Sequence, residues 1–101
     1  MHTHFYQKFL DYAIQKLSTV TRKRWAEDLK SAVTAKEAGN FSECYHYTRH
    51  LLQTFDSYKR RPNFTFTEEE LRLITETKRL IYFVRNIFQQ IYEKKTPKIL
   101  V

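Results

Sequence analysis

His46 and His50 stand four residues apart, and Glu43 lies three before His46. On a helix that spacing puts both imidazoles on one side, the way two zinc ligands are presented. A closed site needs further ligands, and His2 and His4 are the only other imidazoles. No His-Glu-x-x-His motif adds a general base. The stretch therefore reads as a polar helix face, with no metal expected. The Arg–spacer–His signature of small helical ribonucleases is also missing, because Arg49 and His50 are adjacent. Nothing marks a nucleophile elbow. Glu27-Asp28 and Glu68-Glu69-Glu70 read as solvated or dipole-satisfying carboxylates rather than a catalytic pair. Cys44 has no sequence-local base and reads as a packed, inert thiol. The chain holds one Gly, so neither a P-loop nor a dinucleotide fingerprint can be built. No catalytic residue and no cofactor are expected, and the protein reads as a non-enzyme.

The residues that remain informative are basic. The chain of 101 residues carries 18 Lys and Arg against 11 Asp and Glu, a formal charge of +7. Much of the excess sits in three clusters: Arg22-Lys23-Arg24, Lys59-Arg60-Arg61 and Lys94-Lys95-x-x-Lys98. A concentrated positive surface attracts nucleic acid, anionic lipid headgroups or an acidic protein. Aromatic residues interleave with the bases, Trp25 beside Arg24 and Phe64 and Phe66 after Arg61. Phe64 is the aromatic that helix packing explains least, so it reads as an exposed anchor. The expected partner-binding set is Arg22, Lys23, Arg24, Lys59, Arg60, Arg61 and Phe64. The competing reading is a solubilising surface with charge spread around it.

Those clusters need a scaffold, and the periodicity predicts helices. One Gly and two Pro exclude collagen-like and linker-like chains and argue against an all-β fold. Phe5, Phe9, Ala13, Leu17 and Val20, widened by Leu10 and Ile14, predict an amphipathic helix from about Thr3 to Val20. Trp25, Leu29, Ala32 and Val33 continue the pattern. Whether residues 3–38 form one helix or two stays open: Thr21 could cap a second helix, but Arg22-Lys23-Arg24 would then face the positive end of its dipole. Gly39 suits the left-handed position after a helix. Asn40 suits the following N-cap, with Glu43 three residues on as in a capping box. A third helix follows with Phe41, Tyr45, Thr48, Leu52, Phe55 and Tyr58.

Arg60 to Phe66 reads as a connector, with Pro62 turning Arg61 away from helical angles. Thr67 and Glu70 form a capping box, and Phe66 and Leu71 the matching hydrophobic staple. The last helix then carries Leu71, Ile74, Leu80, Ile81, Val84, Ile87, Phe88 and Ile91 to about Lys94. It spans about 42 Å at 1.5 Å per residue. The expected core is Trp25, Leu29, Leu52, Phe55, Ile74, Ile81, Val84 and Phe88. The fold class is all-α, an antiparallel bundle of three or four helices spanning residues 1–95 with a long C-terminal helix as its spine. Residues 96–101 form a tail beyond Pro97. No internal repeat is present.

Leu51-Leu52-x-x-Phe55 followed by Phe66-Thr67-x-x-Glu70-Leu71-x-x-Ile74 resembles the third-to-fourth helix region of class IIa bacteriocin immunity proteins. The resemblance covers the stretch from Leu51 to Ile74. It implies a small, basic, cytoplasmic four-helix bundle that protects without catalysis, acting near the inner membrane face with the bacteriocin's receptor. The chain departs from that pattern by running its last apolar helix through Phe83, Phe88 and Tyr92.

No stretch reaches the 18 apolar residues of a membrane span. Met1-His2-Thr3-His4-Phe5 shows no basic n-region or apolar h-region, so no secretory leader is expected. With a single thiol, the cytoplasm is the expected compartment. The expected function is binding and modulation of a macromolecular partner, most specifically as an immunity- or inhibitor-type protein. A protein partner is favoured, and nucleic acid or an anionic membrane surface is the other candidate. The alternative function is a nucleic-acid-binding regulator with a basic, aromatic surface.

Overall fold

The computed structural model describes residues 2–17 and 19–95, with side chains for 8–17 and 19–91. Among the described residues there are four helices: α1 (His2–Lys16), α2 (Val20–Glu37), α3 (Phe41–Lys59) and α4 (Glu68–Lys95). No strand occurs among the described residues. The expected tail, residues 96–101, lies outside them. Residues 3–38 are thus two helices. The break comes at Thr19 rather than Thr21: the Thr19 hydroxyl accepts from the Arg22 backbone N–H at 3.1 Å, and its carbonyl accepts from Lys23 at 2.9 Å. The first helix accordingly stops at Lys16, short of Val20. Val20 opens α2 and is 85% exposed, outside the apolar stripe.

The α2–α3 link follows the expected chemistry. Gly39 adopts φ +78. Its N–H bonds the Lys36 carbonyl at 2.9 Å, and the Asn40 N–H bonds Ala35 at 2.8 Å. This is a Schellman motif, whose left-handed position suits glycine. Asn40 then caps α3 by accepting from the Glu43 N–H, while its side-chain amide donates to the Glu43 carboxylate at 2.7 Å. One residue thus closes one helix and opens the next. At the start of α4 the capping box is complete: the Thr67 N–H donates to Glu70 Oε1 at 2.6 Å, and the Glu70 N–H to Thr67 Oγ1 at 3.3 Å. Thr67→Ala should destabilise the protein by about 1 kcal/mol. A urea melt checks this; a loss below a few tenths would mean that the hydroxyl contributes no capping.

Consecutive helices run antiparallel. Lys30 of α2 pairs with Asp11 of α1 at 3.0 Å. Trp25, early in α2, meets Phe55 and Tyr58, late in α3, at centroid distances of 5.3 and 5.0 Å. Phe41, at the start of α3, meets Phe83 of α4 at 6.5 Å, and Tyr45 meets Phe88 at 5.8 Å. α2 lies centrally, packed on each of the other three helices. α1 covers α2, and Phe9 also lies under the Arg72 guanidinium of α4 at 4.4 Å.

The core comprises Leu10 and Ala13 of α1, Leu17 just beyond it, Trp25, Ala26, Leu29, Ala32, Val33 and Ala35 of α2, Cys44, Leu51 and Phe55 of α3, and Leu73, Leu80, Ile81 and Val84 of α4. Small alanines on α2 let its neighbours approach on several sides. Of the expected core, Trp25, Leu29, Phe55, Ile81 and Val84 are buried, whereas Leu52, Ile74 and Phe88 are half-buried. The α4 stripe is rotated from the expected one at its start. Glu70, Leu73 and Thr77 are fully buried there, and Leu71 is 51% exposed. Thr77 meets the desolvation cost of its hydroxyl by donating to the Leu73 carbonyl at 2.7 Å.

Candidate functional site

The antiparallel arrangement brings the first turn of α2, the last turn of α3 and the connector to one end of the bundle. The clusters Arg22-Lys23-Arg24 and Lys59-Arg60-Arg61 meet there around an aromatic group. Tyr58 and Phe64 stand 5.2 Å apart, and Phe64 and Phe66 4.9 Å apart. The Arg61 guanidinium lies over Tyr58 at 4.0 Å, and that of Arg22 over Phe64 at 5.3 Å. Such stacks hold guanidinium planes in place while leaving their edges open. The connector owes its shape to Asn63, which takes a left-handed φ of +64, a conformation asparagine tolerates better than most residues. The third cluster belongs to the opposite end of α4, where Lys94 and Lys95 close the helix; Lys98 is outside the described residues.

The expected site residues divide into two kinds. Lys23, Arg24, Lys59, Arg60 and Arg61 are exposed. Arg22 and Phe64 are not free surface. Phe64 is half-buried against Tyr58 and Phe66, so the exposed-anchor reading is corrected: the ring seals the connector onto the bundle. Arg22 is directed inward, with Nε 3.0 Å from Oε2 of the fully buried Glu70. The contact is ionic rather than a directed hydrogen bond, since no N–H is aimed at that oxygen. This pair ties the start of α2 to the start of α4. It also accounts for a cation on the unfavourable end of the α2 dipole, because the charge answers a buried carboxylate.

His46 and His50 are both exposed on α3. No group of three metal-ligating side chains occurs among the described residues, and the side chains of His2 and His4 lie outside them. Cys44 is fully buried, and burial pushes its thiol up to about 11, so at neutral pH it carries no thiolate character. Asp28 is half-buried between its own helix and α3. Burial raises its carboxyl above the usual 3.8, against the lowering effects of Arg24 and then His50. The ionised form therefore carries a penalty in the folded state. That penalty is present above the folded pKa and disappears as pH falls through it. Asp28→Asn should raise the denaturation midpoint at pH 7, and the gain should vanish near pH 3. A variant less stable than the parent at pH 7 would show that the Arg24 and His50 attractions outweigh burial.

No helix among the described residues is long and apolar enough to cross a membrane. Comparison with protein-family models, curated proteins and solved structures gives no match for this chain.

Proposed function

We propose that this protein acts without catalysis, in the cytoplasm, by holding and modulating an acidic protein partner against its basic pole. An immunity- or inhibitor-type protein is the most specific form of that reading. One observation carries it: two clusters 37 positions apart in sequence, at Arg22 and Lys59, are gathered at one end of a rigid bundle. Lys23, Lys59 and Arg60 make no ion pair there among the described residues. Charges positioned this way steer association and select partner sign more than they add stability.

The test reverses only cations without a structural contact, as Lys23→Glu with Arg60→Glu. The melting curve should stay within about 0.5 kcal/mol of the parent, because exposed charges contribute little to stability. Binding to poly-L-glutamate, measured by anisotropy at moderate salt, should be lost. Undiminished binding would reduce the pole to a solubilising surface. Tighter binding of random-sequence duplex DNA than of polyglutamate at the same salt would replace the protein partner with a nucleic acid.

A further inference from the structure

A groove of about 330 Å³ runs along the seam of α3 and α4, and no residue of α1 or α2 lines it. Leu52 and Phe55 of α3 form one wall, Leu71 and Ile74 of α4 the other, and Phe66 of the connector closes one end. Leu71 is the position that a hydrophobic staple would cover with Phe66. The Phe66 ring lies edge-on to Phe55 at 6.4 Å and to Phe64 at 4.9 Å, and it does not bury Leu71. A leucine 51% exposed is thereby left open beside a concavity. Solvated leucines in isolation are ordinary, but one forming the wall of an apolar groove marks an interaction surface.

Three features select the occupant. Two helices lying side by side present the channel into which a third helix lays its apolar face. The rim carries Lys59 and Lys78 against the single acid Asp56, which favours acidic flanks on whatever enters. Lys59 also belongs to the basic pole, so the groove and the pole form one continuous surface. We infer that the α3–α4 groove receives an amphipathic helix of a partner protein. Its aliphatic side chains at i, i+3 or i+4, and i+7 fill the groove, and its flanking carboxylates meet Lys59 and Lys78. The inference rests on the acidic-partner reading and deepens it, from a charge preference to a docking mode.

The probe is a labelled synthetic helical peptide with leucines at those positions and glutamates on both flanks. Its counterpart carries lysines on the flanks. The Glu-flanked peptide should bind at least tenfold more tightly, with backbone amide shifts centred on Leu52, Leu71 and Ile74. Leu71→Ser, at a half-exposed position, should weaken it severalfold without unfolding the bundle. Lys59→Glu with Lys78→Glu should reverse the preference toward the Lys-flanked peptide. Equal binding of the two peptides, no binding of either, or shifts confined elsewhere would overturn the inference. The pole variant Lys23→Glu/Arg60→Glu leaves the groove intact. Loss of its polyglutamate binding therefore tests the pole, and retention of the Glu-flanked peptide tests the groove.

Discussion

Phe55→Ala should lower the unfolding free energy by about 3–5 kcal/mol, the range for emptying a well-packed aromatic site. The residue is 4% exposed, late in α3, where three elements meet. One ring neighbour is Trp25 of α2, nearly perpendicular at 89° and 5.3 Å away; another is Phe66 of the connector. Edge-to-face pairs add to simple area burial. Truncation removes the ring that both neighbours lean on, and the helical backbone of α2 and α3 resists closing into the gap. A guanidinium chloride melt reads the effect as a fall in midpoint at unchanged slope. Phe55→Leu, which retains most of the volume, should cost well under half as much. A Phe55→Ala loss below about 1 kcal/mol would mean that the site closes up and that the Trp25 contact is not a principal tie between α2 and α3.

Arg22→Met should cost about 2–3 kcal/mol, less than for a fully buried pair because the Arg22 side chain keeps 26% exposure. Removing the cation leaves the fully buried Glu70 carboxyl without the charge it faces. Glu70 cannot simply turn outward, since its other oxygen completes the capping box with the Thr67 N–H. Gln in its place keeps an acceptor for that N–H and removes the charge. The double variant Arg22→Met/Glu70→Gln should therefore recover most of the loss. A double-mutant cycle would return a coupling well above the few tenths expected of independent sites. If the two single losses simply add, the 3.0 Å contact is incidental and α2 and α4 are held by apolar packing alone.

The start of α4 could be read from sequence because every signal for it is local. Thr67 and Glu70 are three apart, and their two hydrogen bonds need nothing else. The same holds for Gly39-Asn40. The break at Thr19 lacked such a signal, since no Gly or Pro marks it and Thr21 offers an equivalent hydroxyl. What decides between the two threonines lies far along the chain. With Thr19 as the cap, Arg22 stands where it can reach Glu70. That partner is separated from it by the rest of α2, all of α3 and the connector, and no spacing rule connects them. The rotation of the α4 stripe has a related cause. Glu70 and Thr77 occupy buried positions with polar side chains, so a hydrophobicity pattern skips them and settles on Leu71 and Ile74. Phe64 escapes any such pattern because connectors follow no period; its place is set by Tyr58 and Phe66 nearby and by Arg22 across the fold. The site was thus legible as composition, two basic runs, but not in its division between exposed cations and the one turned inward.

The inward turn of Arg22 also sets a ceiling on how steeply any polyanion can be released from the basic pole by electrolyte. A cation already neutralised by Glu70 displaces no condensed counterions when a phosphate approaches. Of the six cations in the two clusters, five remain: Lys23, Arg24, Lys59, Arg60 and Arg61. At about 0.9 counterions per phosphate contacted on B-form DNA, the pole alone can give a log–log slope no steeper than about −4.5. A nucleic acid gripped only there would dissociate readily as ionic strength approaches that of the cell, and a steeper slope would require cations from another part of the surface.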